Sequence, residues 1–204
     1  SLTFEQTLKL LKSRGSAMQN AVPKGQGGMM AILGSKVDKI YEILDLNKNK
    51  FECFVANDNS EGQTVVSGNN KDLDFFSQEL KKEGIKNIKL PVSAPFHCKL
   101  MNHATEIMKK EIMNSNFISP NNSIISNVTA KPTQDPAEIK NLLIKQIEKP
   151  VRWRESVINM INSKVENFIE IGPGKVLSGI VKRIDRNVTI NQVNGIEDIS
   201  ILSK

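Results

Sequence analysis

The sequence predicts an α/β fold in two parts, a helix-covered sheet interrupted by a smaller sheet-and-helix unit. Three observations lead there. Residues 28–93 read strand, helix, strand, strand, helix, strand in order. From residue 122 onward, short apolar runs alternate with amphipathic helices, the pattern of parallel strands joined by crossovers. The 204 residues are 39% hydrophobic and 25% charged, with 12 Gly and 8 Pro, which suits a sizeable core and is unlike a disordered chain.

The first stretch, SLTFEQTLKLLKSRG, is an amphipathic helix with Leu2, Phe4, Leu8, Leu10, Leu11 and Met18 at three-to-four spacing. It begins without Met and without a visible helix start, so the chain is expected to be the C-terminal portion of something longer. AVPKGQGG is a turn-rich linker. GMMAILG (28–34) reads as a buried strand and SKVDKIYEILDL (35–46) as a helix capped by Ser35. FECFVAN (51–57) and QTVVSG (63–68) form a hairpin through DNSEG. NKDLDFFSQELKKEG (70–84) is a helix closed by Gly84, and IKNIKLPVS (85–93) alternates like a strand. The order matches the split βαβ, ferredoxin-like arrangement, an insert that would bring residues 1–20 and 94 onward together as one larger body.

In that body CKLMNHATEIMKKEIMNS reads as a long helix and NSIISNV (122–128) as a buried strand. DPAEIKNLLIKQIE is a helix with Asp135 as N-cap and Pro136 in the first position. VRWRESVINMINS is a helix, VENFIEIGPGK a strand ending in a Gly-Pro-Gly turn, VLSGIVKRID a helix, NVTINQVN a strand and IEDISILSK a final helix.

Composition excludes several classes of function. The net charge of +6, from 28 basic and 22 acidic residues, is scattered rather than gathered in a stripe. Trp153 and Tyr41 are the only Trp and Tyr, so the basic-and-aromatic signature of a nucleic-acid reader is missing. A diffuse positive surface suits an acidic partner or an anionic substrate. No run of 18 apolar residues and no signal-peptide pattern occur, which argues against a membrane protein. Cys53 and Cys98 are too few for a zinc site or a disulfide framework, and no metal is expected.

Loops that follow strands carry the functional weight in such folds. One of them, SAPFHCK, holds His97, one of two histidines, behind a Pro95 that restricts Ala94 to extended backbone. From the residues alone, His97 is as readily a packed loop residue as a base. His103 lies in a helix and reads as solvated. Cys98 beside His97 points away from it and is not expected to form a Cys-His pair. Gly172, Gly174 and Lys175 precede a helix and could cradle a phosphate, but without P-loop spacing. Arg14, with mostly apolar neighbours at helical offsets, is either a snorkelling surface residue or a bidentate clamp for a carboxylate.

Five blocks, SRGSAMQ (13–19), NDNSEGQTVVSG (57–68), LPVSAPFHCKLM (90–101), KQIEKPVRWRESV (145–157) and EIGPGKVLSGIVKRI (170–184), resemble the malonyl-CoA:acyl carrier protein transacylase family in order and spacing. The resemblance implies an α/β-hydrolase-like large domain, here partial, with an inserted ferredoxin-like subdomain. Residues 1–22 would be a large-domain helix, 23–91 the small subdomain and 92–204 the rest of the large domain. By this resemblance His97 is the catalytic base and the Gln146 carbonyl orients it. Arg14 pairs with the free carboxylate of malonate, Met18 one turn later lines the same pocket, Phe96 stands where the malonyl-selective members often carry Phe, and Asn59 belongs to the N-x-x-G-Q block near the site. The substrate is malonyl-CoA, the partner acyl carrier protein, no cofactor is implied, and the location is the cytoplasm, or an organelle stroma or matrix in a eukaryote. The family's nucleophile sits in a G-x-S-x-G elbow, and no such motif occurs in these 204 residues. The chain alone is therefore expected to be inactive. The alternatives are an acyltransferase unit of a polyketide synthase and a non-catalytic binder of carrier protein or coenzyme A.

Overall fold

The computed structural model describes the backbone of residues 1–203 and the side chains of residues 1–200. Helix α1 spans Phe4–Gln19 and does have a start signal: the Thr3 hydroxyl accepts from Gln6 N while the Gln6 side chain accepts from Thr3 N. This reciprocal capping box, spelled TFEQ, corrects the expectation of a helix without an opening.

Four strands and two helices follow: β1 Gly27–Leu33, α2 Val37–Leu46, β2 Cys53–Ser60, β3 Gln63–Asn69, α3 Asn70–Lys82 and β4 Lys86–Lys89. The sheet order is β2-β3-β1-β4, antiparallel throughout, with Met30 opposite both Val66 of β3 and Lys89 of β4. Both helices cover one face, where Met30, Ile32, Val66, Leu73, Phe76 and Leu80 are fully buried. Removing each large side chain from water contributes about 1.5–3 kcal/mol. Gly84 ends α3 in left-handed backbone at φ 68°, as the sequence suggests.

Three local expectations fail. Ser35 does not cap α2, because its hydroxyl turns to Lys36 O, and the cap position falls to Lys36. Strand β2 runs through the expected DNSEG turn to Ser60, using bulges at Val55/Asn57 and Asp58/Ser60, and leaves only Glu61 and Gly62 for the turn. Gly62 makes the tight turn possible at φ 76°. Strand β4 is four residues long: Leu90 N still donates to Met29 O in the same register, and Val92 N then turns back to Leu90 O as the chain leaves the sheet.

The remainder packs against α1. Helix α4, Asn102–Asn114, follows a 3-10 turn at Lys99–Met101, and α5, Pro136–Gln146, starts under the Asp135 carboxylate, which accepts from Ala137 N and Glu138 N. Helices α1, α4 and α5 enclose Ala17, Met18, Ala94, Met101, Ala104 and Met108. The buried strand expected at 122–128 is instead a two-residue strand, β5 Ile124–Ile125, antiparallel to β6 Pro132–Thr133. Ile124 is exposed, so the segment is not buried, and among the described residues it pairs with β6 alone. Helix α6 Trp153–Asn162, strand β7 Asn167–Ile171, helix α7 Val176–Ile184 and strand β8 Thr189–Val193 follow, with β7 and β8 parallel as the alternating pattern predicts, and the expected final helix is a 3-10 helix at Ile196–Ser203.

Two links lock the small sheet to this body. Val151 exchanges backbone hydrogen bonds with Ala56 and Asp58, and the Arg154 guanidinium grips the Asp58 carboxylate through Nε and Nη2. The loop from β4 to α4 crosses the same junction and carries His97.

Candidate active site

His97 stands at φ 59°, one of three non-glycine residues with positive φ among the described residues. Such backbone costs of order 1–3 kcal/mol and persists only where the surroundings enforce it. They do so here through a series of contacts. Ala94 is sunk in the α1/α4/α5 core, and Phe96 packs between that core and the helix-free face of the small sheet. The Cys98 thiol donates to Pro95 O at 3.1 Å, and Gln19 Nε2 donates to Ser93 Oγ at 2.6 Å.

The imidazole is aimed at the end of α5. Its Nδ1 lies 2.9 Å from Gln146 O. Gln146 is the last residue of that helix, where carbonyls have no intrahelical partner and the helix dipole is negative. A carbonyl only accepts, so Nδ1 carries the proton, and in the neutral ring Nε2 keeps its lone pair. Burial pushes the His97 pKa below its ordinary 6.5, the Gln146 bond opposes this, and the positive charge of Arg14 lowers it further. The ring is thus neutral at pH 7 and able to accept a proton at Nε2.

Arg14 reaches the same residue from the other side. Its Nη2 donates to Gln146 Oε1 at 2.8 Å, and among the described residues it forms no ion pair although it is half-buried. Gln146 therefore holds the imidazole with its backbone and the guanidinium with its side chain. The imidazole and the guanidinium border different spaces. Arg14 and Gln146 line a cavity of about 360 Å³ with Asn127 and apolar Leu11, Ile125 and Leu142. His97 lines another, of about 490 Å³, with Tyr41, Phe54, Lys99 and Glu148.

Of the residues singled out in the sequence, the structure brings His97, Gln146 and Arg14 together and sets Phe96 beside His97. Met18, one turn beyond Arg14, is 3% exposed and packs in the core. Asn59 sits near the turn end of β2 and makes no hydrogen bond to any of this group. His103 is exposed. Cys98 donates to Pro95 rather than to His97, and burial raises its thiol pKa and pushes that of Cys53 up to about 12, so neither is a ready nucleophile. The glycine-rich start of α7 already holds an anion of its own: Glu170 accepts from Leu177 N at 3.1 Å and Ser178 N at 2.7 Å. That corrects the phosphate-cradle reading of GPGK. Sequence reasoning missed the Gln146 side chain and the Arg154–Asp58 pair, and no spacing rule joins residues so far apart.

A neutral imidazole with its Nδ1 proton fixed and its Nε2 free, beside an unneutralised guanidinium, is an arrangement for activating a hydroxyl or thiol near an anionic group. The acyl transferase domain family matches residues 1–203. The chain belongs to that family. It is 38% identical over 203 residues to the malonyl CoA-acyl carrier protein transacylase of Bacillus subtilis strain 168, covering 98% of this chain and 64% of that relative. The crystal structure of malonyl CoA-acyl carrier protein transacylase from Clostridium perfringens superposes with a TM-score of 0.94 at 39% identity, covering 99% of this chain and 64% of that one. A type II polyketide synthase acyl-carrier protein in complex with its malonyl-transacylase matches with a TM-score of 0.92 at 32% identity, covering 98% and 65%. The acyl transferase chain described here thus spans just under two thirds of the length of these relatives.

Proposed function

We propose that the protein to which this chain belongs transfers a malonyl group from coenzyme A to the phosphopantetheine thiol of acyl carrier protein, in fatty-acid synthesis, through a serine ester. The observation that carries this reading is the hydrogen bond from His97 Nδ1 to Gln146 O, with Arg14 on the same glutamine. The nucleophilic serine belongs to the third of the relatives' length that this chain does not span, since no G-x-S-x-G occurs here.

His97 Nε2 takes the serine proton as the oxygen attacks the malonyl thioester. The tetrahedral adduct collapses, and the imidazolium returns that proton to the leaving thiol of coenzyme A. The carrier-protein thiol then gives its proton to Nε2, attacks the ester, and the serine oxygen recovers it. Throughout, the Gln146 carbonyl and the negative end of α5 do the work of the Asp in a Ser-His-Asp triad. One thioester replaces another, so the exchange needs orientation rather than driving force. Arg14 binds the free carboxylate of malonate and selects the diacid, because a neutral acyl group would leave the guanidinium without a counter-charge. Phe96 and Met18 line neither cavity and act from the core behind Arg14 and His97, and Asn59 is given no step.

The same reading makes residues 23–91 a ferredoxin-like subdomain inserted in an α/β-hydrolase-like body formed by 1–22 and 92–204. The strand order β2-β3-β1-β4 supports it. The net charge of +6 suits an acidic carrier protein, and no helix among the described residues is long and apolar enough to cross a membrane. We place the enzyme in the cytoplasm, or in an organelle stroma or matrix. The polyketide relative supports a second reading, with a polyketide carrier protein as acceptor.

The test is transfer to holo carrier protein by the full-length protein, with malonyl-CoA and acetyl-CoA as competing donors. Wild type transfers malonyl, this chain alone transfers neither, and Arg14→Ala loses the malonyl preference while retaining acetyl transfer. Equal loss for both donors would contradict the clamp.

A further inference from the structure

We infer that Gly27 is a positioning residue for His97: its bare α-carbon seats the Pro95 ring, and that seat fixes the loop in which the imidazole meets the Gln146 carbonyl. Gly27 opens β1 and is held in place from its own side. It pairs with Asn69 of β3, while Asn70 N donates to Gln26 O at 2.8 Å and Asn70 Nδ2 donates to Gly25 O at 2.7 Å. Gly27 and Pro95 are both buried. A Cβ on Gly27 would overlap Pro95 Cδ and lie 2.7 Å from Cγ and 3.3 Å from Cβ. Carbon atoms rest about 3.5–4.0 Å apart, so the overlap is large, and a proline ring has no flexible end to swing away.

The contact reaches His97 through two residues. The Pro95 carbonyl is tied by the Cys98 thiol, and between them the chain adopts the positive φ of His97. A shift of the ring must turn this short, doubly anchored segment. The bond from Nδ1 to Gln146 O is 2.9 Å long and has little distance to give. No side chain of Gly27 touches the imidazole, so the effect is one of placement, transmitted from the sheet to the loop.

The experiment is a double-mutant cycle in the full-length protein between Gly27→Ala and Pro95→Ala, since the second substitution leaves only the atom at 3.3 Å. The first readout is the nitrogen NMR spectrum of histidine-labelled protein, assigned against His97→Ala, which separates an Nδ1–H from an Nε2–H imidazole. Gly27→Ala loses the Nδ1–H signal of His97 and about 10²-fold in kcat, with KM for the acyl donor little changed. In the Pro95→Ala background the same substitution has a much smaller effect on both. An equal effect in the two backgrounds, or an unchanged His97 spectrum in Gly27→Ala, would overturn the inference. If Gly27→Ala does not fold, recovery of folding and of the Nδ1–H signal in the double variant upholds it, and failure of the double variant to fold overturns it. Only the rate arm rests on the function proposed above: a lost Nδ1–H signal with an unchanged rate would contradict His97 as base and still uphold the role of Gly27.

Discussion

The antiparallel sheet of residues 27–89 and the parallel pair β7–β8 are both sheets faced by helices, and they differ in what they leave open. In the first, Phe76, Leu73 and Leu80 of α3 close over Met30, Ile32 and Val66, all at 0% exposure. In the second, Ile171 is 76% exposed and Val176 72%, although both belong to a strand and helix that should build a core. Antiparallel sheets can meet water on one face, whereas parallel sheets are ordinarily buried on both. The first unit is closed by its own residues. The second presents an apolar edge of an unfinished layer, in accord with a chain that spans 64% of its Bacillus relative. The His97 site stands beside the closed unit, with Phe96 of its loop packed on that sheet and its Gln146 and Arg14 partners on the α1/α4/α5 core rather than on β7–β8.

Substitutions sharpen that contrast. Phe76→Ala, which empties the closed core beside Phe51, is expected to cost about 3–5 kcal/mol in urea denaturation of this chain. Ile171→Ala in the same chain should cost within about 0.5 kcal/mol, because its side chain is already in water. Similar losses at the two sites would erase the distinction. In the full-length protein, Ile171→Ala should move toward the buried range of about 2–5 kcal/mol.

A smaller effect concerns acid. The folded pKa of His97 lies below 6.5, so the unfolded chain binds the proton first. Stability from the buried neutral ring is full above the unfolded value and is lost as pH falls through it toward the folded pKa. Between about pH 7.5 and about pH 5.5, wild type should therefore lose more stability than His97→Asn. A loss of equal size in both would show that the ring is not held neutral.

How far the sequence revealed all this follows from which interactions are local. The helices of the small unit and the Asp135 cap were legible because their signals lie within one turn of chain. Strand ends were not: β2 extends to Ser60 because β3 pairs with it through bulges, and β5 shrinks to Ile124–Ile125 because its only described partner is β6. The TFEQ capping box is also local, with Thr3 and Gln6 three residues apart, but it lies outside the apolar periodicity that marks the helix. At the site, the residues themselves left His97 and Arg14 open, and the resemblance to a transacylase family gave them roles. What joins them is Gln146, 49 residues from His97 and 132 from Arg14, where only a folded chain can supply the proximity.

The central claim is that a neutral His97, held through Nδ1 by the end of α5, accepts the proton of the attacking nucleophile. The measurement that tests it most directly is the rate of malonyl transfer to holo carrier protein by full-length His97→Ala beside wild type. A loss of at least about 10²-fold with folding intact is the predicted result. Transfer at the wild-type rate would contradict it.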